Sequence, residues 1–220
     1  MNAVAARPLT GRCSGIFEGR EHALFGVSAL NGFFSRGAVT ALLGWGLSVF
    51  GRVDVLVPGA GELAGTLVAR GWDPVRASAK ARAAAGNTRN RVGRALSDLG
   101  VGAGDVTVFS WDDLAGNVGY ERLRGEVESL YTGDRQFGEE CMLAVAAVVG
   151  GAEADRSRRE AALPFLFAEL PLVLDTPAIL GVGSSLFCYP RPMPMVDRLY
   201  AGTLPVAPSP RQGFLVTRLT

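Results

Sequence analysis

Ser28 closes the stretch HALFGVS, which has the length and apolar content of a buried β-strand. A serine at the C-terminal end of a strand stands where α/β folds place reactive groups, and its chemistry would be nucleophilic acyl transfer. The usual base is missing. The chain has one histidine, His22, six residues upstream of Ser28. On one extended strand that separation is about 20 Å at ~3.3 Å per residue, far beyond a hydrogen bond. A Ser-His-Asp triad is thereby excluded, and Gly26-Val27-Ser28-Ala29-Leu30 also lacks the second glycine of a nucleophile elbow. A second candidate is Glu169 in PFLFAELP, a lone carboxylate in an apolar stretch just before Pro171. It reads either as a helix-end charge turned to water or as a buried functional acid. Cys13, Cys141 and Cys188 are scattered and odd in number, which fits a reducing compartment and gives no metal spacing. No metal and no cofactor is expected.

A third feature is a run of cations. The net charge is +1, yet Arg70 to Arg94 holds seven Lys or Arg against one acid, Asp73. On an unbroken helix Arg76, Lys80, Arg91 and Arg94 fall within about 60° of one another. A solvated helix face is the plain alternative, but the acids that would make i,i+4 pairs are absent, and no aromatic residue interleaves with the cations from Arg76 to Arg94 to stack on bases. The pattern predicts contact with a phosphate backbone rather than base reading. The turn PGAGELAG offers Gly59-x-Gly61-x-x-Ala64 after a strand, as a dinucleotide fingerprint would. The acid that such a site needs about 20 residues on is replaced by Ser78, Lys80 and Arg82. An NAD(P)-binding oxidoreductase is therefore a competing reading, and a glycine-rich strand-to-helix turn the plain one.

The elements that must hold these residues alternate. HALFGVS, VDVLVP (53–58) and VTVFS (106–110) read as strands. Residues 38–50, 63–99 (with breaks expected near Gly71–Pro74 and at Gly86) and about 112–150 (with a turn near Thr132-Gly133) read as helices. EADRSRREAALPFLFAEL reads as a further helix, AILGVGSSLFCYP as a strand, and the proline-rich tail as irregular. At 220 residues, with 48% hydrophobic and 20% charged residues, the chain fits a single α/β domain with a mostly parallel sheet flanked by helices. About 1–20 and 205–220 are expected to be flexible ends. The uncharged run Gly37–Gly51 is too short to span a bilayer, and the N-terminus lacks a signal-peptide core.

Taken in order, the stretches resemble the tRNA-dependent cyclodipeptide synthases. Leu24-Phe25-Gly26-Val27-Ser28 is similar to the family's Gly-aliphatic-Ser motif. Phe165 to Pro171 is similar to its Tyr-aliphatic-x-x-Glu-aliphatic-Pro motif, and SSLFCYP to its Ser-Ser-x-x-Cys-Tyr segment. The resemblance implies a Rossmann-like domain related to class I aminoacyl-tRNA synthetases, two aminoacyl-tRNAs consumed per diketopiperazine, and no nucleotide cofactor. It also implies a cytoplasmic monomer or weak homodimer, with no DNA or membrane partner. It casts Ser28 as the acylated nucleophile, with Glu169 and Tyr189 handling the substrate ammonium and protons. Asn31 and Tyr120 become substrate contacts, Leu24, Gly26, Leu172 and Phe187 an apolar pocket for the first aminoacyl group, and Arg76, Lys80, Arg91 and Arg94 the tRNA face. Leu24 and Gly26 share a strand face with Ser28 by the period-two alternation. Two features depart from the pattern. Phe165 stands where the family has Tyr, which favours a weakly active or non-catalytic tRNA-binding homologue as the alternative. Asn31 marks one family branch while Pro190 marks the other.

Overall fold

The computed structural model describes residues 3–102, 104–150 and 155–220. The elements run β1 (Val4–Pro8), α1 (Gly11–Gly19), β2 (His22–Gly26), α2 (Arg36–Val49), β3 (Arg52–Val57), α3 (Ala60–Ala69), α4 (Pro74–Asp98), β4 (Thr107–Ser110), α5 (Val118–Gly133), α6 (Arg135–Val149), α7 (Arg156–Glu160), α8 (Leu163–Leu180), β5 (Ser185–Tyr189), α9 (Pro194–Tyr200) and β6 (Gln212–Leu219). The strands form one sheet in the order β1-β6-β5-β2-β3-β4. Every pair is parallel except β1 with β6.

The apolar runs explain the centre of this sheet. β2 and β5 are buried along their whole length, and so is β3 after Arg52, as strands covered by helices on both faces must be. From β2 the chain moves outward through β3 to β4, then returns to place β5 on the other side of β2. The direction of winding thus reverses between β2 and β5, and α/β sheets open a crevice at the strand C-termini there.

At the opposite ends of the same strands, His22 is fully buried. Its Nδ1 lies 2.7 Å from Ser185 Oγ and its Nε2 3.3 Å from Asp54 Oδ2. Arg52 donates to Asp54 at 2.6 Å, and the Thr107 N–H donates to its other oxygen at 3.2 Å. The lone histidine therefore ties β5, β2 and β3 together, far from Ser28 in the strand direction.

Several expectations are corrected. The ends expected to be flexible carry regular elements: β1 and β6 pair from Val4↔Leu219 to Pro8↔Leu215, and α1 lies between β1 and β2. Met1 and Asn2 lie outside the described residues. Gly86 does not interrupt α4, because neighbours such as Ala81, Thr88 and Val92 bury its inner face. The break before α4 is real: Gly71 has φ +89°, Asp73 caps the helix and Pro74 opens it. Ala178-Ile179-Leu180 ends α8 rather than starting a strand, since Gly181 closes the helix in the left-handed region at φ 67°. The helix expected from Glu153 is split into α7 and α8, and its Glu153 and Ala154 lie outside the described residues. α8 is apolar and long enough to cross a membrane by length alone. It is instead a core helix, 61% buried and kinked at Asp175.

Candidate active site

Val27 continues β2 by donating to the Leu56 carbonyl at 2.9 Å, which leaves Ser28 at the crevice mouth. The next turn is held from within. Asn31 Oδ1 accepts from the Phe33 N–H at 3.0 Å, the Phe34 N–H donates to the Asn31 carbonyl, and Ser35 caps α2. Tyr189 ends β5 beside this turn, its ring packed on Phe34 at 5.9 Å between centroids. Opposite stands α8, whose Phe165 and Glu169 are one turn apart and share a face. These elements enclose a cavity of about 370 Å³ whose wall includes Gly26, Ser28, Asn31, Phe165, Glu169 and Tyr189.

The titrating groups differ in their surroundings. Burial pushes the Glu169 carboxyl up to about 7, and no ion pair offsets it among the described residues. The Tyr189 hydroxyl is also raised, first by burial and then by the charge of Glu169. Hydrogen bonding from Asn31, the charge of Arg191 and hydrogen bonding from Ser28 act in the other direction. A serine hydroxyl thus sits beside a phenol and a carboxyl poised near neutrality. That set can pass protons over short distances without a histidine.

Tyr120, expected as a substrate contact, is placed one layer behind the cavity wall. Its hydroxyl donates to the Ala168 carbonyl at 3.0 Å, and burial pushes its pKa up to about 12. It holds the turn that carries Glu169. Leu24, Leu172 and Phe187 are also displaced from the expected pocket. All three are fully buried core residues off the cavity wall, and Phe187 stacks on Phe214 at 5.9 Å. Of those four positions Gly26 alone faces the cavity.

Along α4, Arg76, Lys80 and Arg94 are exposed, as a phosphate-binding face requires. Arg91 is half-buried and donates to the Phe34 carbonyl at 2.7 Å, which joins this helix to the turn after Ser28. Arg89 is held by Val108 and Asp113. The PGAGELAG turn does not suit a pyrophosphate. A Cβ on Gly59 would meet Glu62 Oε2 at 2.8 Å and Asp112 Oδ1 at 2.9 Å, so two carboxylates already crowd the α3 N-terminus. Among the described residues no group of His, Cys, Asp and Glu is placed to hold a metal.

Sequence reasoning missed Trp111, Arg70, Arg191 and Met193 on the wall. Trp111 opens a short 3-10 turn directly after β4 and meets Phe165 edge-on at 4.7 Å. Its place at a strand C-terminus was a usable signal. A second cavity of about 570 Å³, between α6, α8 and the start of α9, adjoins the first and shares Thr66, Phe165, Glu169, Arg191 and Met193 with it.

A Rossmann-like sheet with its reactive groups at the switch point is an arrangement of the class I aminoacyl-tRNA synthetase kind. A Mycobacterium tuberculosis protein with this architecture, described as demonstrating that cyclodipeptide synthetases are related to type I tRNA synthetases, superposes with a TM-score of 0.91 at 29% identity. The superposition covers 99% of this chain and 94% of that one. Residues 4–218 match the sequence model of one family, Cyclodipeptide synthase. Cyclo(L-leucyl-L-leucyl) synthase of Photorhabdus laumondii is 30% identical over 96% of this chain and 94% of its own length. Cyclo(L-tyrosyl-L-tyrosyl) synthase of Mycobacterium tuberculosis is 30% identical over 96% of this chain and 74% of its own. The chain belongs to the cyclodipeptide synthase family.

Proposed function

We propose that this protein joins the aminoacyl groups of two aminoacyl-tRNAs into a diketopiperazine through an ester on Ser28. The observation that carries the reading is the convergence of Ser28, Tyr189 and Glu169 on one cavity at the switch point, with the only histidine committed elsewhere. Ser28 Oγ attacks the acyl carbon of the first substrate. The ester bond to the ribose breaks, and the proton lost by Ser28 ends on the ribose hydroxyl. One ester replaces another, so the step needs positioning and a proton path more than a strong base. The α-amine of the Ser28-bound group then attacks the second aminoacyl ester, forming an amide and freeing the second tRNA. The new terminal amine finally closes on the Ser28 ester, which restores the serine hydroxyl and releases the ring.

Glu169 in its ionised form holds the substrate ammonium, and Tyr189 relays protons between the amine, Ser28 and the leaving hydroxyl. Asn31 orients the acyl group. Phe165 offers no hydroxyl, so the ammonium rests on Glu169 and Tyr189. The exposed α4 cations take tRNA phosphates. The protein works in the cytoplasm, where aminoacyl-tRNA is found. Expression in bacteria and mass spectrometry of the medium tests the reading: diketopiperazines appear with the wild type and vanish with Ser28→Ala. Retention of tRNA without any acylation of Ser28 would support instead a tRNA-binding homologue without activity, the reading that Phe165 favours.

A further inference from the structure

Three arginines line the two cavities, and two of them are committed. Arg70 donates from Nε and Nη2 to the Val148 carbonyl at 3.1 and 2.8 Å. Arg198, on α9, is paired with Glu140. Arg191 lines both cavities, is exposed, and among the described residues donates no hydrogen bond and meets no carboxylate. Its charge reaches the site, where it favours the ionised Tyr189 hydroxyl. Glu169 is the unpaired acid common to the same two cavities, and the wall they share is otherwise mostly apolar, with Phe165, Val148 and Met193.

One free cation and one free acid on a shared wall fit a ligand that carries both a positive and a negative charge. An aminoacylated RNA end is such a ligand: the α-ammonium lies on one side of the ester, and the nearest phosphodiester one ribose away on the other. We propose that Arg191 binds the 3′-terminal phosphodiester of the first aminoacyl-tRNA while Glu169 takes its ammonium, so that the ester is held between them at Ser28. This rests on the acyl-transfer reading above. The guanidinium fork matches a phosphate with two parallel hydrogen bonds. It is separate from the α4 cations.

The test is a double substitution cycle on the rate of Ser28 acylation. The substrates are native aminoacyl-tRNA and the same tRNA with a neutral methylphosphonate at the terminal linkage; the proteins are wild type and Arg191→Gln. Each change alone is expected to slow acylation by about tenfold or more, as loss of a charge-assisted hydrogen bond does. Both together are expected to be no slower than either. Arg191→Lys restores part of the loss through its point charge. The salt dependence of tRNA binding flattens by about 0.7 in the log–log slope for one single-strand phosphate. Effects that multiply overturn the proposal, as does a loss confined to aspartyl- and glutamyl-tRNA, which would place a substrate side-chain carboxylate on Arg191. If the wild type is not acylated at all, the Ser28 chemistry is what fails. The same cycle, read as affinity for an amide-linked aminoacyl-tRNA that cannot react, still decides Arg191.

Discussion

Phe187 Cζ lies 3.0 Å from the point where a Cβ on Gly26 would stand, so the space that the glycine leaves beside Ser28 is filled from the neighbouring strand. Gly26→Ala would press on a ring that Phe214 backs from the other side. The expected cost is about 1–3 kcal/mol of overpacking, with slower acylation of Ser28. Phe187→Leu removes the obstruction and opens space beneath the cavity floor, so its products shift toward larger amino acids. The pair Gly26→Ala with Phe187→Leu should recover stability lost in the single glycine variant. Urea denaturation and product mass spectra read both effects, and strictly additive stabilities would mean that the two residues do not oppose each other.

The Glu169 carboxyl, pushed up to about 7 by burial, gives the pH dependence a sign. Its ionised form is the one that holds an ammonium, so single-turnover acylation rises with pH through about 7 and levels above it. Stability runs the other way. A carboxyl raised in the folded state binds more protons there than in the unfolded chain between about 4.5 and 7, so burial of its charge costs stability as pH rises across that window. Glu169→Gln should be inactive yet melt higher than wild type at pH 8, by at most about 3 kcal/mol in stability, with the gap closing toward pH 5. A wild type whose melting advantage grows with pH across that window would contradict the assignment.

Tyr120 acts through the backbone of α8. Its hydroxyl is bonded to the carbonyl just before Glu169. Tyr120→Phe removes the side-chain donor to that buried carbonyl, which costs about 1 kcal/mol. Acylation should slow several-fold through misplacement of Glu169, with the pH midpoint shifted and KM for tRNA little changed. A large rise in KM alone would return Tyr120 to the substrate-binding role that its sequence context implied.

How far the sequence could be read follows from what each residue meets. The central strands were legible because buried parallel strands are continuous apolar runs, and Ser28 because it ends one. Gly26, Asn31, Phe165, Glu169 and Tyr189 came to one cavity from stretches over 160 residues apart in the chain, an arrangement visible only through the resemblance. Three features were hidden. β6 lies behind a proline-rich approach, and pairing with β1, which is nearly the whole chain away, orders both ends. Phe187 carries the period-two placement of a pocket residue, but packing against Phe214 decides that its ring fills the pocket instead. Arg191 looked like tail composition until the fold set it on the same cavity wall as Glu169.

The buried cluster at the other end of the sheet is a stability element with its own pH signature. Burial works against the Asp54 charge, but His22, Arg52 and the Thr107 N–H outweigh it, and the carboxyl sits below its usual value. A depressed carboxyl contributes stability that is present above the unfolded value of about 4 and is lost as pH falls through the folded value. Asp54→Asn should therefore destabilise at pH 7 by about 2–4 kcal/mol, since it leaves the buried His22 ring and Arg52 short of a partner. The difference should shrink toward pH 2. Equal destabilisation at both pH values would assign the effect to packing alone.

Arg91 separates the two roles available to the α4 cations. Arg76, Lys80 and Arg94 are exposed, and Arg91 alone of the four is tied to the Phe34 carbonyl in the turn after Ser28. Each of the three exposed residues changed to Ala should weaken tRNA binding and flatten its log–log salt slope by about 0.9, while acylation at saturating tRNA stays near wild type. Arg91→Ala should flatten the slope similarly and also slow acylation at saturation, because the turn holding Asn31 loses its outside support. Arg91→Lys keeps the charge but reaches the carbonyl poorly, so it should restore the salt slope more than the rate. Binding that is equally tight and equally salt-dependent in a variant with all four changed to Ala would make this helix a solvated face and place the tRNA elsewhere.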